Sequence, residues 1–299
     1  MGMHETIQKL EALRKKVYFY NVLPGVAVIG ILIFMFISMM QRTGEYNSMV
    51  MPMFLPFIFV VVCVAIANQS GKKVKLQYKE LYKETFVNGM LKSMLEDVSY
   101  DWRGGFSELD VGTFGIVKIG NIFKSEDYLS GSYKGVKFRQ ADVTIRHETG
   151  SGDDRQVTTY FEGRMFEFKF DGKSVQNVKV FSNLYKSWLN LRGENVDLEN
   201  VQFNKAFDVY TPEPLDAFYI LTPQMMERIT RLHRRYNNIG FRFGDGRLCV
   251  AINGPDSFDG DYKKKISYPE EYARVKGEVQ VIIDIIEMIG LMQDEEKHQ

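Results

Sequence analysis

A chain of 299 residues with 45% hydrophobic and 25% charged side chains has an ordinary globular average, and a mean hydropathy of -0.21 conceals where its apolar residues fall. Lys and Arg total 38 and so do Asp and Glu, so no global field draws the chain to nucleic acid, and charge-driven binding needs a local patch. Two cysteines, Cys63 and Cys249, have no CxxC or His-rich surroundings; they exclude a disulfide framework and read as small buried hydrophobes.

From Val17 to Gln41 no residue carries a charge, and the run is apolar over most of its length, enough to span a hydrocarbon core of about 30 Å. A second charge-free window runs from Tyr46 to Gly71, with its apolar heart at Met49 to Ala67. Pro24, Pro52 and Pro56 lie toward ends or first turns, where a missing donor costs least. The first segment is too long for a secretory leader, and no A-x-A-like cleavage site follows it. Lys9, Arg14, Lys15 and Lys16 precede the first span and Lys72, Lys73, Lys75, Lys79 and Lys83 follow the second, whereas the loop from Arg42 to Ser48 offers only Arg42. Cations resist translocation, so both termini are expected in the cytoplasm of a multi-pass protein of the cell (inner) membrane. Neither span contains an ionisable side chain, which speaks for an anchor and against transport.

Past a small breaker at Ser70-Gly71, residues 72–98 place Val74, Tyr78, Leu81 and Thr85 at helical spacing with lysines opposite, predicting an amphipathic helix. Its first lysines could meet anionic head groups or merely obey the charge rule of topology. From about Tyr128 alternating, aromatic-rich runs predict antiparallel strands over 128–149, 156–170 and 175–183. Thr149 to Asp154 reads as an exposed hairpin loop and Asp171-Gly172 as a tight turn. FDVYT and AFYILT read as strands, and Thr222-Pro223 then opens a helix closed by Asn237, Asn238 and Gly240, with Met225, Ile229, Leu232 and Tyr236 in one stripe. FRFG and RLCVAIN follow as a hairpin joined by Asp245-Gly246. Ser267, Pro269 and Glu270 mark the start of a last helix, whose Tyr272, Val275, Val279, Ile282, Ile286 and Ile289 step by three and four. Packing on its own sheet is favoured over dimerisation, which leaves a homo-oligomer through this helix open.

The fold class expected is therefore α+β: a cytoplasmic tail over 1–16, a transmembrane helical hairpin over 17–71, a juxtamembrane amphipathic helix over 72–100, and a cytoplasmic domain of antiparallel sheet and flanking helices over 101–299.

Leu198, Glu199, Phe203, Asn204, Lys205, Phe207, Val209 and Tyr210, followed by Tyr219 to Pro223 and Met226, Glu227 and Arg228, give the chain a further signature. In these residues it resembles a family of bacterial membrane proteins catalogued as domain of unknown function thirty-one thirty-seven. It departs from that pattern at Pro212, Pro214, Phe218 and Met225. The resemblance implies a transmembrane pair ahead of a cytoplasmic domain and a scaffold role beside partner membrane proteins; it carries no activity.

Motifs for chemistry fail one by one. Gly172-Lys173-Ser174 lacks the glycine five residues earlier that a phosphate loop needs, since Glu167 stands there. Asp256, Asp259 and Asp261 lack the spacing of a calcium loop. His147-Glu148 beside Asp153 and Asp154 reads as a polar hairpin tip, and Cys249 has no His and Asn to activate it. An enzyme is thus disfavoured and no cofactor or metal is expected. Two basic features remain: Arg228, Arg231 and Arg235 on one stripe of a helix, and Lys263, Lys264 and Lys265. Read blandly, they are solvated flanks paired with local carboxylates. Read functionally, they are the binding residues of a membrane-anchored scaffold module whose partners are membrane lipid or a protein. Lipid head-group binding and an enzyme with an unfamiliar site are the alternatives.

Overall fold

The computed structural model describes residues 3–40, 50–169, 177–182 and 194–296. They form two compact units, 1–87 with 259–272, and 88–258 with 273–299.

The first unit is helical. Helices α1 (Met3–Met40) and α2 (Val50–Leu81) bury small or short residues, Val17, Ala27, Cys63 and Ala67, and a Cβ at Gly71 would lie 3.1 Å from that of Tyr20. Small residues at such a seam let two backbones approach closely. Among the described residues one helical stretch, His4–Met35, is long and apolar enough to cross a membrane. The connecting loop and Tyr46 to Met49 of the second apolar window lie outside the described residues. No break occurs at Ser70-Gly71: α2 runs through it, because both neighbouring turns are helix-compatible and the glycine serves the α1 contact.

Beyond Leu81 the helix widens into a π-helical turn, Tyr82–Val87. The buried stripe steps by four through Tyr78, Tyr82 and Phe86, where the spacing expected Leu81 and Thr85. Tyr78, Tyr82 and Phe86 form a ladder with ring centroids 5.8 and 5.6 Å apart, continued by Tyr268 at 5.6 Å. Lys83 turns inward, where its Nζ meets Asp259 at 2.6 Å, although its sequence position suggests a solvent-facing lysine.

The second unit holds, among the described residues, a nine-stranded antiparallel sheet. Its strands are β1 (Glu96–Asp101), β2 (Ile122–Tyr133), β3 (Val136–Thr149), β4 (Gln156–Lys169), β5 (Val178–Ser182), β6 (Glu194–Asn195), β7 (Phe207–Thr211), β8 (Ile239–Gly244) and β9 (Arg247–Asn253). Their order is β1-β2-β3-β4-β9-β8-β5-β7-β6. Asp245 and Gly246, both at positive φ, form the tight β8–β9 turn that the Asp-Gly pair predicts. Residues 128–149 are two strands joined at Lys134-Gly135, again both at positive φ, and β2 starts six residues earlier than the alternation suggests. The turn at Asp171-Gly172 lies outside the described residues.

Side chains alternate between the sheet's faces. One face gathers Ala141, Val143, Ile145, Met165, Phe181, Cys249 and Ala251 against Phe106, Val111 and Phe114 of the segment around α4 (Glu108–Phe114). Ser107 caps that helix, accepting from the Asp110 amide while Asp110 accepts from the Ser107 amide. The opposite face carries Phe138, Phe166, Phe168, Phe241 and Phe243, all buried. Strand β5, VKVFS, is buried at all five positions, Lys179 and Ser182 included, as a central strand covered on both faces is.

Helices α3 (Asn88–Met94), α5 (Val201–Ala206), α6 (Pro214–Ile220), α7 (Pro223–Tyr236) and α8 (Tyr268–Glu296) complete the set. AFYILT, strand by its aromatic and β-branched content, is mostly α6 instead: Pro214 fixes φ in the first turn and Asp216 complements the helix dipole. Val275, Val279, Ile282 and Ile286 of α8 are buried; Ile289 is not among the described side chains.

Candidate functional site

Among the described residues a cavity lies between α7 and α8. Thr222 starts α7, its hydroxyl accepting from the Met225 amide, with Pro223 in the first turn. Burial of Met225, Ile229 and Leu232 then fixes the rotation of the helix. That rotation puts Arg228, Arg231 and Arg235 along one flank, where with Leu232, Asp284, Glu287 and Met288 they line a cavity of ≈ 170 Å³.

Its charges are largely matched. Arg231 reaches Glu227 at 3.1 Å and Arg235 reaches Asp284 at 2.9 Å. Asp284 also accepts from the Tyr236 hydroxyl at 2.6 Å and from Gln280 at 2.7 Å. Burial and the adjacent Asp284 carboxylate push the Tyr236 hydroxyl above its ordinary pKa, so it stays a donor. Glu287 reaches Lys134 at 3.4 Å. With Asp284 and Glu287 set among its arginines, the cavity is a mixed-charge cleft and not a simple anion trap.

Lys263, Lys264 and Lys265 are exposed and belong to the other unit. Asp261 shapes their turn: its Oδ1 accepts from the Lys263 amide at 2.9 Å and its carbonyl from the Lys264 amide at 3.3 Å. The two basic features predicted from sequence therefore sit in different units.

Two charged groups escape sequence reading. On the first face of the sheet, Glu167 lies between Arg139 and Arg247, and Arg139 also reaches Asp110 at 3.2 Å and lies over the Phe106 and Phe114 rings. Burial raises the Glu167 pKa, but the two guanidiniums outweigh it and hold the carboxyl below its usual range. On the other face, buried Asp142 accepts from the Ser257 amide at 2.6 Å and from its hydroxyl at 2.9 Å. Only charged residues at inward strand positions hint at either, and strand register decides which way they point.

Glu148 is engaged by Arg155 at 2.7 Å and the His147 ring stacks on Tyr160. Among the described residues no group of three or more His, Cys, Asp or Glu is placed to hold a metal ion.

The family model described as protein of unknown function (DUF3137) matches residues 159–291. That stretch is a DUF3137 domain. It runs from within β4 into α8, takes in the α7–α8 cleft and every signature residue between Leu198 and Arg228, and covers under half of the chain. Helices α1 and α2 and strands β1–β3 lie ahead of the DUF3137 match. No curated protein matches the chain. Among solved structures it is similar to the mycobacterial trehalose monomycolate transport factor A, TtfA, at 10% identity and a TM-score of 0.37, over 68% of this chain and 93% of that one. A likeness that distant bears on neither mechanism nor partner.

Proposed function

We propose that this chain is a membrane-anchored binding module: α1 and α2 stand in the inner membrane as an antiparallel hairpin, both termini face the cytoplasm, and the DUF3137 domain engages a protein there. The observation that carries the reading is the outward apolar surface of α1. Phe19, Val26, Ile29 and Leu32 are each 58–60% exposed, and only 11% of the helix's most apolar window is buried. A core helix of a soluble protein hides such residues; a helix apolar all round needs hydrocarbon around it. On α2, Ile58, Phe59 and Val61 are exposed in the same way.

Binding by the domain is supported by α6. Leu215, Phe218 and Tyr219, spaced three and four residues apart, are 73%, 49% and 42% exposed while Ala217 and Ile220 on the other side are buried. An apolar triplet on one helical face is the surface a protein partner covers. A photo-crosslinking residue replacing Phe218, in full-length chain within native membranes, should give one discrete higher-mass adduct; the same residue at exposed Lys137 should not. Equal, diffuse labelling from both positions contradicts a partner on α6.

A further inference from the structure

The first unit contains a segment distant in sequence from everything else in it. Residues 259–272 return to lie along α1 and α2. The Arg14 guanidinium donates to the Tyr262 carbonyl at 3.3 Å, Glu11 accepts from the Ile266 amide at 3.4 Å, and Lys75 sits over the Tyr262 ring at 5.3 Å. Tyr262 is thereby held level with Arg14 on one helix and Lys75 on the other.

That level is close to where the apolar spans begin. Arg14 stands three positions before Val17, where the charge-free run starts, and Lys75 four positions after Gly71, where the second run ends. At 1.5 Å of rise per residue this is about 5 Å. Lys263, Lys264 and Lys265 follow Tyr262 directly and are exposed, as are Lys15 and Lys16 on α1 and Lys72 and Lys73 on α2. The four helix lysines stand one or two positions from the charge-free runs, and long lysine side chains extend toward an interface while their stems stay on apolar ground. Nearby carboxylates are already engaged: Glu11 with Arg14 at 2.6 Å, Asp259 with Lys83, and Asp261 in the turn.

We infer that these three chain segments form a cationic collar that binds the anionic phospholipid head groups of the cytoplasmic leaflet, with Lys263–Lys265 as its loop component. The inference rests on the membrane-anchor reading above. It differs from the ordinary charge bias of helix flanks, because the fold spends specific contacts from Arg14, Glu11 and Lys75 on bringing a distant lysine triplet to the same level. Phosphate esters are the matching chemistry, each lysine adding attraction near a negative surface.

The test uses the full chain in nanodiscs of phosphatidylcholine with about one third phosphatidylglycerol, reading by electron paramagnetic resonance how strongly spin-labelled phosphatidylglycerol associates relative to labelled phosphatidylcholine. The wild type should favour the anionic lipid by about fivefold. The variant K263Q/K264Q/K265Q should lose more than half of that preference, K263R/K264R/K265R should keep it, and high salt should reduce it. A Gln variant equal to wild type, or a wild type without preference, overturns the collar. Release of the chain from membranes by alkaline carbonate would instead overturn the anchor, so the two failures are separable.

Discussion

Asp142 illustrates how much one side chain's surroundings decide. Burial, and secondarily the Asp127 carboxylate, pushes its pKa up to about 8, against the hydrogen bonds from Ser257 and the more distant Arg164. A folded-state pKa above the unfolded value of about 3.9 means the native state holds this proton more tightly. The corresponding stability is fully present below about pH 4 and is lost as pH rises through about 8. Asp142→Asn keeps an acceptor for the Ser257 amide and removes the titration. Thermal midpoints at about pH 5 and about pH 9 should therefore fall less in the variant than in the wild type. An equal fall in both would show that Asp142 does not carry the dependence. Asp259 has the opposite sign: burial raises its pKa, but Lys83 and Lys79 more than offset this, so its contribution is lost only as pH falls through a depressed value.

At the scale of elements, what could be read from sequence was whatever a few adjacent residues decide. The Asp245-Gly246 hairpin, the Thr222-Pro223 helix start and the α8 stripe from Val275 to Ile286 follow from short-range chemistry and stand in the structure as expected. Thr222→Ala removes the side-chain acceptor of α7 and should cost about 1 kcal/mol in a denaturant titration; no change would mean that the cap is replaced by water. The Ser107–Asp110 capping box was missed, although SELD carries its pattern, and nothing else in 96–120 advertises β1 or α4. Two elements went the other way for physical reasons. Residues 217–220 have strand composition and become helix because Pro214 and packing of Ala217 and Ile220 outweigh a weak β preference. The aromatic stripe takes the step of four from Tyr78 to Tyr82 in place of the step of three to Leu81, and the helical period allows either.

For the molecule as a whole, long-range order was the part sequence could not supply. Strand β5 lies between β7 and β8, and β9 between β8 and β4, so the centre of the sheet is assembled from segments far apart in the chain. The return of residues 259–272 to the N-terminal helices is of the same kind, and it is what joins the lysine triplet to the helix-flanking cations. The arginine stripe was legible as a stripe, and so was Glu227 four residues before Arg231, but the Asp284 partner of Arg235 was not, since it comes from some fifty residues downstream. Charge patterning along the first eighty residues, by contrast, is a one-dimensional signal, and it underlies the proposed topology. The most direct measurement is labelling of single-cysteine reporters in intact cells with a membrane-impermeant maleimide. Asn47→Cys, in the loop between the helices, should react before lysis, while Gln8→Cys and Lys137→Cys should react only after it. Equal reactivity at all three positions, or protection of Asn47→Cys with Lys137→Cys open, would contradict a cytoplasmic domain held by a two-helix anchor.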